Sequence, residues 1–124
     1  MPMITGPVIV VDDDDAVRQS LKFALELEGL SVRLYRDGDH LLAESDLPRM
    51  GCLVIDYQMA GIDGVDLVKR LRARRVYLPA ILITTKCTPG LLERARRVGF
   101  RQVLEKPLED GSLLEGIRGA LAVA

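Results

Sequence analysis

A chain of 124 residues, 48% apolar and 28% charged, is long enough to bury a core of its own, which excludes a disordered tail and a disulfide-stapled mini-protein. No apolar run approaches the ~18 residues of a membrane span, and the N-terminus lacks the basic start and long apolar stretch of a secretory signal. The net charge of −1 conceals an asymmetry: residues 1–62 hold 11 acids and 5 bases, and residues 63–124 hold 7 acids and 12 bases. Val8 to Val11 is a continuous β-branched run, the pattern of a strand buried on both faces. From Asp14 to Glu28 a helical period puts Val17, Leu21, Ala24, Leu25 and the stem of Glu28 inward, with Gly29 as the stop. Ser31 to Arg36 alternates as a half-exposed edge strand. A second helix fits Asp39 to Leu47, ended by Pro48. Cys52 to Ile55 is a third strand, and Asp63 can cap a third helix whose Val65, Leu67, Val68 and Leu71 face inward. Ala80 to Ile83 is the fourth strand, Pro89 to Val98 the fourth helix with Gly99 beyond its end, Val103-Leu104 a short fifth strand, and about Asp110 to Ala122 the last helix.

Strict β-α alternation over the whole length predicts a single domain, core about 7–122. Its architecture is an α/β, flavodoxin-like, doubly wound (βα)5 three-layer sandwich. Strands one, three and four are apolar throughout, while two and five are alternating or short, so the parallel order 2-1-3-4-5 puts the weaker pair at the edges. In such a sheet the binding crevice lies beyond the carboxyl ends of the central strands. Those ends carry Asp12-Asp13, Asp56, Thr84 and Lys106. Three converging carboxylates repel and require either a raised pKa or a cation. Their oxygens suit Mg²⁺, and Lys106 and Thr84 complete a set able to hold a phosphoryl group. Asp14 and Asp15 fit a helix cap and its dipole, and the single histidine, His40, argues against a Ser-His-Asp or histidine-metal site. Cys52 and Cys87 have no zinc-like spacing and read as free thiols.

Val-Val-Asp-Asp at 10–13, Val-Ile-Asp-Tyr-Gln-Met at 54–59, Gly64, Ile-Thr at 83–84 and Glu-Lys-Pro at 105–107 together resemble the receiver domain of two-component response regulators, of the FixJ type. The resemblance covers residues 7–122 and implies a role for each strand-end residue. Asp56 is the implied phosphoacceptor for a sensor histidine kinase or histidine phosphotransfer protein. Mg²⁺ or Mn²⁺ would be held by Asp12, Asp13, Asp56 and the backbone carbonyl of Gln58. Lys106 would pair with the carboxylate and then the phosphoryl group, Thr84 would move to the phosphoryl oxygen, and Lys106-Pro107 would be a cis peptide. Lys86, close to the site in the family, could tune hydrolysis of the phosphoaspartate.

By the same resemblance the domain is a cytoplasmic phosphoprotein that modifies itself and is not an enzyme turning over a free substrate. Its output would pass to a downstream protein or to a second copy through the fourth helix, fifth strand and fifth helix. The chain stops shortly after its last predicted helix, so it is expected to act alone or as an excised receiver. Four positions depart from the family pattern: Val103 replaces an aromatic switch residue, Thr85 a small one, Ala60 a proline, and Phe100, expected in the core, an alanine. The basic residues concentrate at Arg70, Arg72, Arg74 and Arg75 and at Arg94, Arg96, Arg97 and Arg101. A solvated helix face accounts for such clusters most simply, with a protein partner or an ion-pair dimer contact as the alternative. The slightly acidic whole and the scarcity of aromatics argue against nucleic acid.

Two rival functions remain: a receiver that binds partners without phosphorylation, and a phosphatase or flavin protein on the same sheet. Gln58 stands where an Asp-X-Asp phosphatase needs its second aspartate, and four consecutive aspartates after the first strand would repel a flavin phosphate.

Overall fold

Every apolar run identified in the sequence is a strand in the computed structural model, which describes residues 6–108 and 111–122. β1 (Val8–Val11), β2 (Val32–Tyr35), β3 (Cys52–Asp56), β4 (Ala80–Thr84) and β5 (Gln102–Glu105) alternate with α1 (Asp15–Leu27), α2 (Gly38–Leu42), α3 (Gly64–Ala73), α4 (Pro89–Val98) and α5 (Ser112–Ala122). The strands pair in parallel in the order β2-β1-β3-β4-β5, so β2 and β5 are the edges.

The alternation of side chains along a strand divides the core in two. Ile9, Val11, Leu53, Ile55 and Leu82 face α2, α3 and α4, where they meet Leu41, Val65, Leu67, Val68, Leu71, Leu91 and Ala95. Val8, Val10, Val54, Ile81 and Ile83 face α1 and α5, where they meet Leu25, Leu113, Ile117 and Leu121. Phe100 joins the first cluster at 9% exposure, the core position expected of it. Truncating one of these fully buried leucines or isoleucines to alanine costs about 2–5 kcal/mol.

Local chemistry fixes the helix ends. Asp14, Asp37, Asp63 and Thr88 each accept a backbone N–H two or three residues into α1, α2, α3 and α4 (distances 2.8 to 3.1 Å), contacts worth about 1 kcal/mol apiece. Gly99 ends α4 at φ 97°, a left-handed conformation that favours glycine, and the Phe100 N–H returns to the Ala95 carbonyl at 3.0 Å.

Most boundaries agree with the sequence reading to within one residue, and the differences that matter fall in α2, β5 and α5. α2 stops at Leu42 instead of Leu47, because Ser45 and Asp46 prefer turns and Leu47 precedes a proline. β5 gains Gln102 and Glu105, since pairing with β4 continues on both sides of Val103-Leu104. α5 begins at Ser112, and Asp110 lies outside the described residues. On α1, Ala24 is exposed rather than inward, and Glu28 leaves the core face to pair with Arg118 of α5 at 3.0 Å.

Candidate functional site

Among the described residues only three polar or charged side chains are buried: Asp12, Asp56 and Thr84, at 2%, 6% and 1% exposure. All three sit at the carboxyl ends of neighbouring strands. Register places them: Val11 lies opposite Ile55, so the following Asp12 and Asp56 come level, and Thr84 ends β4 one residue past the partner of Asp56. Asp13 joins them from the exposed side. One carboxylate oxygen from each of Asp12, Asp13 and Asp56 lies within 4.8 Å of the others.

Lys106 reaches the same point from the end of β5. Its Nζ is 3.4 Å from Asp56 Oδ1 and 3.6 Å from Asp12 Oδ2. The turn that aims it contains a cis Lys106–Pro107 peptide, as the resemblance implied, and its backbone N–H donates to the Thr84 carbonyl at 2.8 Å. The loop after β3 is held close by Gly64: a Cβ there would lie 2.6 Å from the Asp56 carbonyl oxygen, so a side chain would push α3 away from the site.

The electrostatics follow from burial. Desolvation first, and the neighbouring Asp12 second, push the Asp56 carboxyl up from its ordinary value to about 6, while Lys106 pulls it back. A single lysine does not neutralise three carboxylates. Hard oxygen donors at this spacing, with an excess of negative charge, suit a small divalent cation. Asp12 also spends one oxygen internally, accepting the Asp14 N–H at 2.9 Å, which fixes its orientation.

The Thr84 hydroxyl is turned into its own loop. It donates to the Lys86 carbonyl (3.2 Å) and accepts the Lys86 N–H (3.3 Å). Thr85, one of the four departures, donates its hydroxyl to Gln58 Oε1 at 3.3 Å, joining the loops after β3 and β4. Val103 is half-buried against the α3–α4 side of the core. His40 lies exposed on α2, hydrogen-bonded to Asp37 at 2.6 Å. Cys52 is buried in the core, its thiol pushed up to about 12 by desolvation, and Cys87 is partly exposed in the loop after β4. Both are free thiols.

Several supporting residues escape sequence reasoning. Arg18 on α1 donates to the Asp12 carbonyl at 2.6 Å and pairs with Asp15 at 3.0 Å, bracing the acidic loop from below. Glu105 accepts the Cys87 N–H at 3.3 Å. Tyr57, next to Asp56, accepts a hydrogen bond from Arg94 of α4 at 2.8 Å, and the guanidinium also lies 5.7 Å from its ring centroid. The i+3 spacing of Arg18 from Asp15 is a local signal; the other contacts join residues 6, 18 and 37 positions apart and leave none.

The chain is similar to known proteins in sequence and in fold. The transcriptional regulatory proteins FixJ of Azorhizobium caulinodans and Bradyrhizobium diazoefficiens are 38% and 36% identical over 93% and 96% of the chain. The chain spans 54% and 58% of those two relatives, so it corresponds to about half their length. Among solved structures, the FixJ-N crystal structure superposes with a TM-score of 0.89 at 32% identity, covering 98% of both chains. The chemotaxis protein CheY4 of Vibrio cholerae follows at 0.86 and 27%, covering 95% of this chain and all of the other. Residues 8–118 match the response regulator receiver domain family, and with the acidic strand ends, the lysine and the threonine all in place, the chain belongs to that family.

Proposed function

We propose that the domain is a phosphorylation switch in which Asp56 accepts a phosphoryl group from the phosphohistidine of a sensor kinase or histidine phosphotransfer protein. An Asp56 carboxylate oxygen attacks phosphorus; the P–N bond breaks and its electron pair leaves with the imidazole nitrogen. Asp12, Asp13, Asp56 and the Gln58 carbonyl would hold Mg²⁺ or Mn²⁺. When bound, such an ion neutralises charge on the phosphoryl oxygens. The ammonium of Lys106, now 3.4 Å from Asp56, stays beside the new phosphoryl group as its fixed counter-charge.

The observation that carries this reading is the placement of the buried Asp12 and Asp56 carboxylates around the Lys106 ammonium, with the buried Thr84 at the neighbouring strand end. Thr84 would exchange its bonds to Lys86 for one to a phosphoryl oxygen, which moves the loop after β4 and passes the change to α4. Output would then run through the α4–β5–α5 face to a downstream protein or a second copy. With Val103 in place of an aromatic ring, the loop and α4 carry that signal. The Thr85–Gln58 bridge narrows the approach of water to the phosphoryl group. The reaction is self-modification within a cytoplasmic signalling pathway, not turnover of a free substrate. The relatives named as transcriptional regulatory proteins suggest that the switch governs an attached or associated regulator of transcription.

Incubation with Mg²⁺ and acetyl phosphate, followed by intact mass measurement, tests the proposal. A gain of about 80 Da, one phosphoryl group, is expected in the wild type and is absent from a folded Asp56→Asn variant. A folded wild-type protein that gains no mass would instead support the phosphorylation-independent binding module.

A further inference from the structure

The positive charge of the chain is concentrated more tightly than its halves suggest. Residues 63–101 hold ten bases and three acids, a net +7, against −8 for the remainder. Within this segment α3 and α4 form the two walls of an open groove of about 590 Å³, lined by Val65, Asp66, Lys69, Arg72, Arg94, Arg97 and Val98. Four of these seven are cationic. Val65 is buried and Val98 half-buried, so the groove has an apolar floor beneath charged walls.

A purely solvated face has no need of that floor, nor of cations held in place. Arg94 is tethered to Tyr57 at 2.8 Å and to Asp63 at 3.6 Å, Arg97 to Glu93 at 3.3 Å, and Arg72 to the Val76 carbonyl at 2.9 Å. Their charges are thus presented in fixed positions, which lowers the ordering cost of binding. Lys69 forms no ion pair among the described residues.

We propose that the α3–α4 groove docks an acidic, amphipathic segment of a partner protein, with carboxylates on Lys69, Arg94 and Arg97 and an apolar side chain over Val65 and Val98. Charge complementarity selects this occupant. Nucleic acid fits less well: no aromatic side chain lines the groove for base stacking, and Asp66 in the lining, with Asp63 and Glu93 beside it, would oppose a regular run of phosphates. None of the lining residues belongs to the acidic strand ends, and docking does not require Asp56 to be phosphorylated.

The test is fluorescence anisotropy on the full chain, with a fluorescein-labelled peptide of about a dozen residues, glutamates with leucines at helical spacing. The wild type binds it, more weakly as salt is raised, and binds the glutamine analogue at least about tenfold less tightly. Lys69→Glu combined with Arg97→Glu lowers affinity by about tenfold or more, while Arg36→Glu, at the end of β2, leaves it within about twofold. Should the reversed pair fail to fold, the milder Lys69→Gln and Arg97→Gln variants serve, each expected to weaken binding about threefold. Absence of binding by the wild type, equal binding of the glutamine analogue, or equal affinity in folded groove variants would overturn the proposal. So would a single-stranded oligonucleotide or phosphatidylglycerol vesicle that binds more tightly than the peptide and responds to the same substitutions.

Discussion

The acidic strand ends and the basic α3–α4 surface use charge in opposite ways. At the strand ends three carboxylates and one lysine are packed together, with two of the acids nearly inaccessible to water. The segment 63–101 that contains the other region spreads ten bases along the chain, and most reach solvent. Yet it is in the smaller group that a carboxyl is pushed far from its ordinary value: burial first and Asp12 second carry Asp56 to about 6. The pair interaction between unit charges at 4 Å is about 1 kcal/mol in bulk water and several times that at a protein surface. The number of charges therefore says little until burial is known. Arg72 shows the same rule within the basic region, since it is shifted downward chiefly by burial.

Neutralising Asp56 breaks this contrast most strongly. Its raised pKa means that, between pH 4 and 6, the native state binds more protons than the unfolded chain. Stability contributed by this group therefore falls as pH rises through that window and stays low above it. In metal-free buffer at pH 7, Asp56→Asn should stabilise the fold by up to about 3 kcal/mol, with little difference near pH 4. Denaturant titrations of both proteins at pH 4 and 7 measure it. Equal stabilities at pH 7 would mean that Asp56 carries no penalty for being buried and charged.

A divalent cation should offset much of that penalty. Mg²⁺ at about ten times its dissociation constant adds about 1.4 kcal/mol to the stability of the wild type. Asp13→Asn, which alters an exposed side chain and so leaves the metal-free fold nearly unchanged, should reduce the gain to a small fraction. Lys69→Gln and Arg97→Gln, in the other region, should retain it in full. A uniform response of all four proteins in thermal melts with and without Mg²⁺ would place the ion elsewhere or nowhere.

The sequence carried nearly everything that depends on periodicity. Uninterrupted apolar runs announced the doubly buried strands, alternation announced β2 as an edge, and strand order followed from which runs were weakest. The site was legible for the same reason: once the strands are parallel, their carboxyl ends converge, and Asp12, Asp56, Thr84 and Lys106 are simply the residues found there. What stayed hidden has no period. The early end of α2 depends on turn preferences competing with a weak helical pattern. The Thr84 hydroxyl's bonds to Lys86 depend on a rotamer, and the Thr85–Gln58 and Arg94–Tyr57 contacts on how two loops and a helix meet.

Arg94 is the residue that spans the two regions, so it gives the finest test of how separate they are. It lines the basic groove, yet its guanidinium is bound to the tyrosine that follows Asp56. Hydrogen bonding to Tyr57 is the foremost cause of its upward pKa shift, ahead of the ion pair to Asp63. Arg94→Met keeps much of the aliphatic stem and removes all three contacts. Because the groups are largely solvated, the expected loss is at most about 1 kcal/mol, the scale of an exposed cation–π contact together with a surface ion pair. The more telling readout is local. Amide hydrogen exchange should quicken at the N-terminal turn of α3 and along α4, while the backbone of β1 and β3 beneath the acidic cluster stays protected. Exchange that changes along β1 would show the two charged regions to be one cooperative unit; exchange unchanged along α4 would show the Arg94–Tyr57 contact to be inert.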